Sequence, residues 1–155
     1  MSAKNIPIRV FVTELLLRSA RERATSQAVL DLLVSLGAEV VTGASADRQV
    51  ASLSARLALL DSADAMVVLR TGRNEAAAFE AGYNLLGGAK APVFLADWKQ
   101  AREHAARWRE LGAEYATFQD LEDLREPLAA FLGRIAERHR RRDRRMLRLM
   151  EQLVA

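Results

Sequence analysis

Short apolar runs alternate along this chain with longer stretches whose apolar residues recur every three or four positions. Residues 8–12 are rich in β-branched and aromatic types and predict a first strand. A helical stretch follows, with Ala28, Leu32 and Leu36 in one stripe and Val29 and Leu33 beside it. Gly37 is its expected C′ residue, because a helix commonly stops where the backbone turns left-handed. Residues 38–41 predict a second strand. Val50, Leu53, Leu57 and Leu60 then repeat at helical spacing, with Ser45 or Asp47 as possible caps. Residues 65–69 are wholly apolar and predict a third strand, and residues 74–86 a helix that stops at Gly87 and Gly88. Residues 91–95 predict the fourth strand, 98–111 a helix ending at Gly112, and 115–118 the fifth strand. Asp120 is expected to open the last helix or helix pair, with Pro127 either a break or a first-turn residue.

Strands that alternate with helices of 10–15 residues argue βαβ units and a parallel sheet. Right-handed crossovers restrict these to a doubly wound α/β fold. Five strands in the order 2-1-3-4-5 are the expected arrangement.

Composition narrows the chemistry. The chain has 155 residues, enough for one domain with a core, and 50% of them are hydrophobic. It has no cysteine, which excludes disulfides, thiolate metal sites and cysteine nucleophiles. Its two histidines, His104 and His139, make a multi-histidine metal site untenable, and no cofactor is implied. No apolar run reaches the ~20 residues of a membrane span, and the first residues lack the apolar stretch of a secretory signal. A cytoplasmic protein is the expectation.

The segment Phe79, Glu80, Ala81, Gly82, Tyr83 holds most of the functional information. In an open α/β sheet, ligands bind in the crevice at the carboxyl ends of the strands. The loop Arg70, Thr71, Gly72, Arg73 leaves that edge after the third strand and leads to Glu80. Phe79 and Tyr83 share a helix face, and Gly82 permits close approach. A carboxylate among such neighbours is partly desolvated and able to attack the anomeric carbon of a sugar or stabilise an oxocarbenium ion. The same small residues also suit plain helix–sheet packing, with Glu80 a solvated helix former.

Residues 60–69, the segment 79–85 through Asn84 and Leu85, and the strand of Ala91, Pro92, Val93, Phe94 and Leu95 together resemble the nucleoside 2-deoxyribosyltransferase family. TIR-domain NAD hydrolases share a sheet and a helix-borne Glu and are a weaker match. The resemblance implies a flavodoxin-like sheet and an enzyme that transfers or hydrolyses the N-glycosidic bond of a nucleoside or nucleotide. It implies Glu80 as nucleophile. The family's first-loop glycines are missing after Val12, and Arg56 and Asn74 stand where it has acids. These departures leave open a domain that binds a nucleotide or a protein partner without turning it over.

Other residues are expected at the same edge. Glu14 follows the first strand, as the second of a carboxylate pair or as a helix-start acid. Arg70 and Arg73 suit a phosphate or an ordinary surface. Asn74 suits a sugar hydroxyl or a helix cap. Asp97 and Trp98 follow the fourth strand, and Trp98 is able to stack on a base or cover the core rim. Asp61 and Asp64 read as turn acids at the opposite edge.

The charge changes character at the C-terminus. Net charge is +3 overall, yet Arg138, Arg140, Arg141, Arg142, Arg144, Arg145 and Arg148 crowd one stretch. Met146, Leu149, Met150, Leu153 and Val154 follow at helical spacing. The chain is therefore divided into an α/β domain, 1–133, and a basic amphipathic helix, 134–155. The helix is expected to join two copies as a homodimer. Nucleic acid or an anionic membrane surface are the other partners such a face suits.

Overall fold

The computed structural model describes residues 7–13, 20–42, 53–70, 84, 91–98, 109–110 and 112–155. Five strands form one sheet: β1 (Arg9–Thr13), β2 (Glu39–Thr42), β3 (Ala65–Arg70), β4 (Val93–Trp98) and β5 (Glu114–Phe118). Their order is β2-β1-β3-β4-β5, and each neighbouring pair is parallel. This is the doubly wound order expected from the alternation of runs. Three helices complete the described elements: α1 (Ala20–Ser35), α2 (Leu53–Asp61) and α3 (Glu122–Val154).

The central strands explain why the sheet is parallel. Val10, Phe11 and Val12 of β1 and Ala65, Met66, Val67, Val68 and Leu69 of β3 are all buried. Continuous apolar runs of this kind need cover on both faces, which crossover helices provide. Helix α1 ends as its glycine predicts. Gly37 has φ +90°, its N–H bonds to the Val34 carbonyl, and the Ala38 N–H reaches back to that of Leu33. That pair of bonds is a Schellman motif, and Ala38 and Leu33 both join the core. Gly112 repeats the positive φ, at +89°, just before β5.

Strand ends differ from the sequence reading in one place that matters. Residues 91–95 were the expected fourth strand, but β4 runs from Val93 to Trp98. Pro92 has no N–H to give to a ladder and only accepts, from the Met66 N–H. Register with β5 carries the strand onward, pairing Asp97 with Thr117 and Trp98 with Phe118. Arg70 likewise is the last residue of β3, in register with Asp97, and not the first residue of a loop. Trp98 therefore does not begin a helix.

Helix α3 lies on the sheet by Leu124, Leu128, Phe131, Leu132 and Ile135, all buried. Phe131 meets Phe94 with ring centroids 5.4 Å apart, tilted by 50°. Pro127 sits inside this helix without ending it. The helix starts at Glu122, after Leu121, with no side-chain cap; the Asp123 carboxylate in its first turn instead ties down the preceding loop, accepting the N–H groups of Asp120 and Gln119, each at 3.1 Å. Those bonds, the one from Asp120 first, hold the Asp123 carboxyl below the usual carboxylate range. The helix passes without interruption through residues 133 and 134, so the basic segment continues an element that is anchored in the core.

At the amino edge of the sheet, Asp64 does more than turn the chain. Its carboxylate accepts the Arg9 N–H at 2.9 Å and lies 3.8 Å from His139 Nε2 of α3. His139 is the last residue of α3 that is not exposed. Every residue from Arg140 to Ala155 is exposed.

Candidate functional site

The sheet reverses its winding between β1 and β3, and a crevice is expected at the carboxyl ends of those strands. Thr13 ends β1 there and is 1% exposed. Its Oγ1 makes no hydrogen bond among the described residues. A buried hydroxyl without a partner costs about 1–3 kcal/mol and is uncommon enough to need a reason.

Two strands away, Asp97 is 2% exposed near the end of β4. Parallel pairing places Leu95 beside Tyr115, so the Tyr115 ring extends up the same face toward Asp97. The phenol donates to Asp97 Oδ2 at 2.8 Å. The Arg109 guanidinium sits 5.7 Å from the centre of the Tyr115 ring. The result is a chain of groups from Arg109 through Tyr115 to a buried carboxyl beside Arg70 in register. Tyr115→Phe is expected to cost about 1–3 kcal/mol, since it strips a donor from a buried carboxyl. A double-mutant cycle with Asp97→Asn, read by urea unfolding, checks it. Additive effects would mean that the hydrogen bond contributes nothing.

A third anchor sits beneath the candidate nucleophile in the sequence. Asn84 is helical and fully buried. Its Nδ2 donates to the Ala91 carbonyl at 2.8 Å, and its Oδ1 accepts the Ala91 N–H at 2.9 Å. One amide side chain thus closes the seven-residue return to β4 and satisfies both polar groups of Ala91.

Of the residues proposed from sequence, Asp97 is buried at the carboxyl edge, and Arg70 and Trp98 stand on the last rungs of their strands. Glu80, Glu14, Arg73, Asn74 and Tyr83 lie outside the described residues, as do the side chains of Arg70 and Trp98. Thr13, Tyr115 and Asn84 were not singled out as site residues by the sequence. A polar Asn between apolar Tyr83 and Leu85, four positions after Glu80, was the available signal for the last of these.

An open groove of about 860 Å³ runs between β5 and α3, and Tyr115 lines it along with Arg109. Glu114, Glu122, Asp123 and Glu126 line it with Arg109 and Arg134, and Arg134 pairs with Glu114. Its acids suit a phosphate poorly, and neither Thr13 nor Asp97 faces it. The crevice at the carboxyl edge is the better candidate site. Among the described residues, no cluster of His, Asp and Glu could hold a metal ion, and no helix is long and apolar enough to cross a membrane.

Solved structures that share this fold include two nucleoside-processing proteins. One is a 2-deoxyribosyltransferase from the psychrotolerant bacterium Bacillus psychrosaccharolyticus, 14% identical with a TM-score of 0.55, the match covering 76% of this chain and 90% of that one. The other is a Clostridium botulinum CMP N-glycosidase, 15% identical with a TM-score of 0.54, the match covering 77% and 97%. No protein-family model and no curated protein sequence matches the chain. The fold is nucleoside 2-deoxyribosyltransferase-like, in agreement with the resemblance carried by the segment around Glu80.

Proposed function

We propose that this protein cleaves or exchanges the N-glycosidic bond of a nucleoside or nucleotide, with Glu80 as the nucleophile. The observation that carries the reading is topological. Residue 80 lies on the connection that leaves the carboxyl edge at Arg70 and returns to β4 past Asn84. That connection occurs in a fold shared with a deoxyribosyltransferase and a CMP N-glycosidase.

In the proposed reaction a Glu80 carboxylate oxygen attacks C1′ of the sugar. The C1′–N bond breaks, its electron pair leaves with the base, and the base takes up a proton. Water, or a second base, then attacks C1′ and releases the carboxylate. Water completes a hydrolysis and a base completes a transfer. Glu14 is the proposed proton carrier. Arg70 and Arg73 suit a 5′-phosphate, Asn74 a sugar hydroxyl, and Tyr83 and Trp98 the faces of the base. Asp97, held by Tyr115, is proposed to fix the polar side of the crevice.

A second reading rests on Arg56 and Asn74, which replace acids expected in the family. In that reading the crevice binds a nucleotide, or the domain binds a protein, without turnover. The deciding experiment incubates the protein with nucleosides, 2′-deoxynucleosides, their 5′-monophosphates and NAD, and follows free base by chromatography. Release from one of them supports the enzyme. Thermal stabilisation by a nucleotide with no release from any supports the binding module.

A further inference from the structure

From Arg140 onward every residue of helix α3 is exposed, and there the helix separates two kinds of surface. Residues 138–148 hold seven arginines against a single aspartate. Beyond and among them, Met146, Leu147, Leu149, Met150, Leu153 and Val154 are 45% to 87% exposed, the last two most of all. At 3.6 residues per turn these six side chains occupy one arc of about 160°. Arg140, Arg141, Arg144, Arg145 and Arg148 occupy the remainder. The segregation also runs along the axis, with cations nearer the globular domain and apolar groups further out.

The helix's own acids do not neutralise it. Glu137 bonds Arg140 at 2.9 Å and Arg141 at 3.2 Å, with Arg144 at 3.4 Å. Those contacts, Arg140 first, hold the Glu137 carboxyl below its ordinary range. Arg138, Arg145 and Arg148 make no ion pair among the described residues. Three kinds of occupant then compare unequally. A second copy would cover the apolar arc but bring two seven-arginine segments together. A nucleic-acid duplex would neutralise the arginines and leave six apolar side chains in water. An anionic bilayer surface satisfies both faces, with guanidinium groups among lipid phosphates and the apolar arc at the acyl boundary.

We propose that residues 138–154 dock this protein onto an anionic membrane surface, lying along the interface and not spanning it. The full chain is sedimented with vesicles of phosphatidylcholine alone and with vesicles containing about 30% phosphatidylserine, where each Arg near the charged surface adds to binding. Binding to the anionic vesicles is expected to be ~10-fold or more tighter, and to weaken as salt is raised. Leu149→Glu with Leu153→Glu, and separately Arg145→Gln with Arg148→Gln, are each expected to lower it ~10-fold. All four positions are exposed, so the thermal unfolding of both variants is expected to stay that of the parent. Equal binding to neutral vesicles overturns the proposal, as does anionic binding that survives the leucine substitutions. A dimer in light scattering that those substitutions dissociate, with no vesicle binding by the parent, assigns the face to a second copy and overturns it equally. So does duplex DNA binding without vesicle binding.

Discussion

Glu80→Gln is expected to lower base release by ~10³-fold or more, a loss of at least about 4 kcal/mol of transition-state stabilisation. Glutamine matches glutamate in size and nearly in helix propensity, so stability stays within about 0.5 kcal/mol of the parent. What the amide cannot do is form an ester with C1′. The measurement is single-turnover release of base from the best substrate of the panel, alongside urea unfolding of both proteins. A variant that keeps its rate within about 3-fold would remove Glu80 from bond breaking, because a lost nucleophile is never that mild. Loss of rate together with loss of stability would place Glu80 in the packing of the fold instead. The parent's products carry further information. Exchange of one base for another, in competition with water, requires a glycosyl group held on the protein while the first base departs.

Much of the architecture was legible because it rests on periodicity. The runs at 65–69 and around Val10 are too short and too apolar for surface helices, and their burial on both faces is what a parallel sheet requires. Gly37 and Gly112 announced two helix ends through one physical property, the freedom to adopt positive φ. The fourth strand shows where such reading stops. Asp97 reads as a residue beyond the strand and Trp98 as the start of a helix, yet they are the last rungs of β4. Pairing with Thr117 and Phe118 decides this, and no local pattern records which strand will lie alongside. The change in charge at residue 134 invited a domain boundary there, whereas helical periodicity runs through it and one helix serves both core and tail.

The polar groups of the candidate site were harder to foresee for a related reason. Tyr115 reaches Asp97 only because β4 and β5 are neighbours with Leu95 beside Tyr115. Thr13 is a β-branched residue at a strand end and reads as ordinary until its hydroxyl is found buried and unpartnered among the described residues. Both facts depend on lateral register and burial. Together they make the carboxyl edge polar over a core that is largely apolar, a combination typical of ligand pockets.

Asn84→Ala is expected to cost about 2–4 kcal/mol, the largest loss of stability from a single polar side chain here. The substitution removes two buried hydrogen bonds at once. It also leaves the N–H and carbonyl of Ala91 without partners at a position only 9% exposed. Urea unfolding should show a lower midpoint with an unchanged slope. Asn84→Asp separates geometry from charge. It keeps the acceptor for the Ala91 N–H, loses the donor, and buries a carboxylate whose pKa is raised in the folded state by desolvation. A raised folded pKa means that stability is greatest when the group is protonated and falls as pH rises through that value. The Asp variant should therefore approach the parent at low pH and fall away toward neutrality, while the Ala variant stays destabilised throughout. A cost below about 0.5 kcal/mol for Asn84→Ala would show that neither bond holds the connection in place. The pairing of outcomes matters most. Glu80 should affect turnover with little effect on stability, and Asn84 should affect stability first. Position 80 is four residues before the anchor in the sequence, so loosening the anchor should also lower turnover.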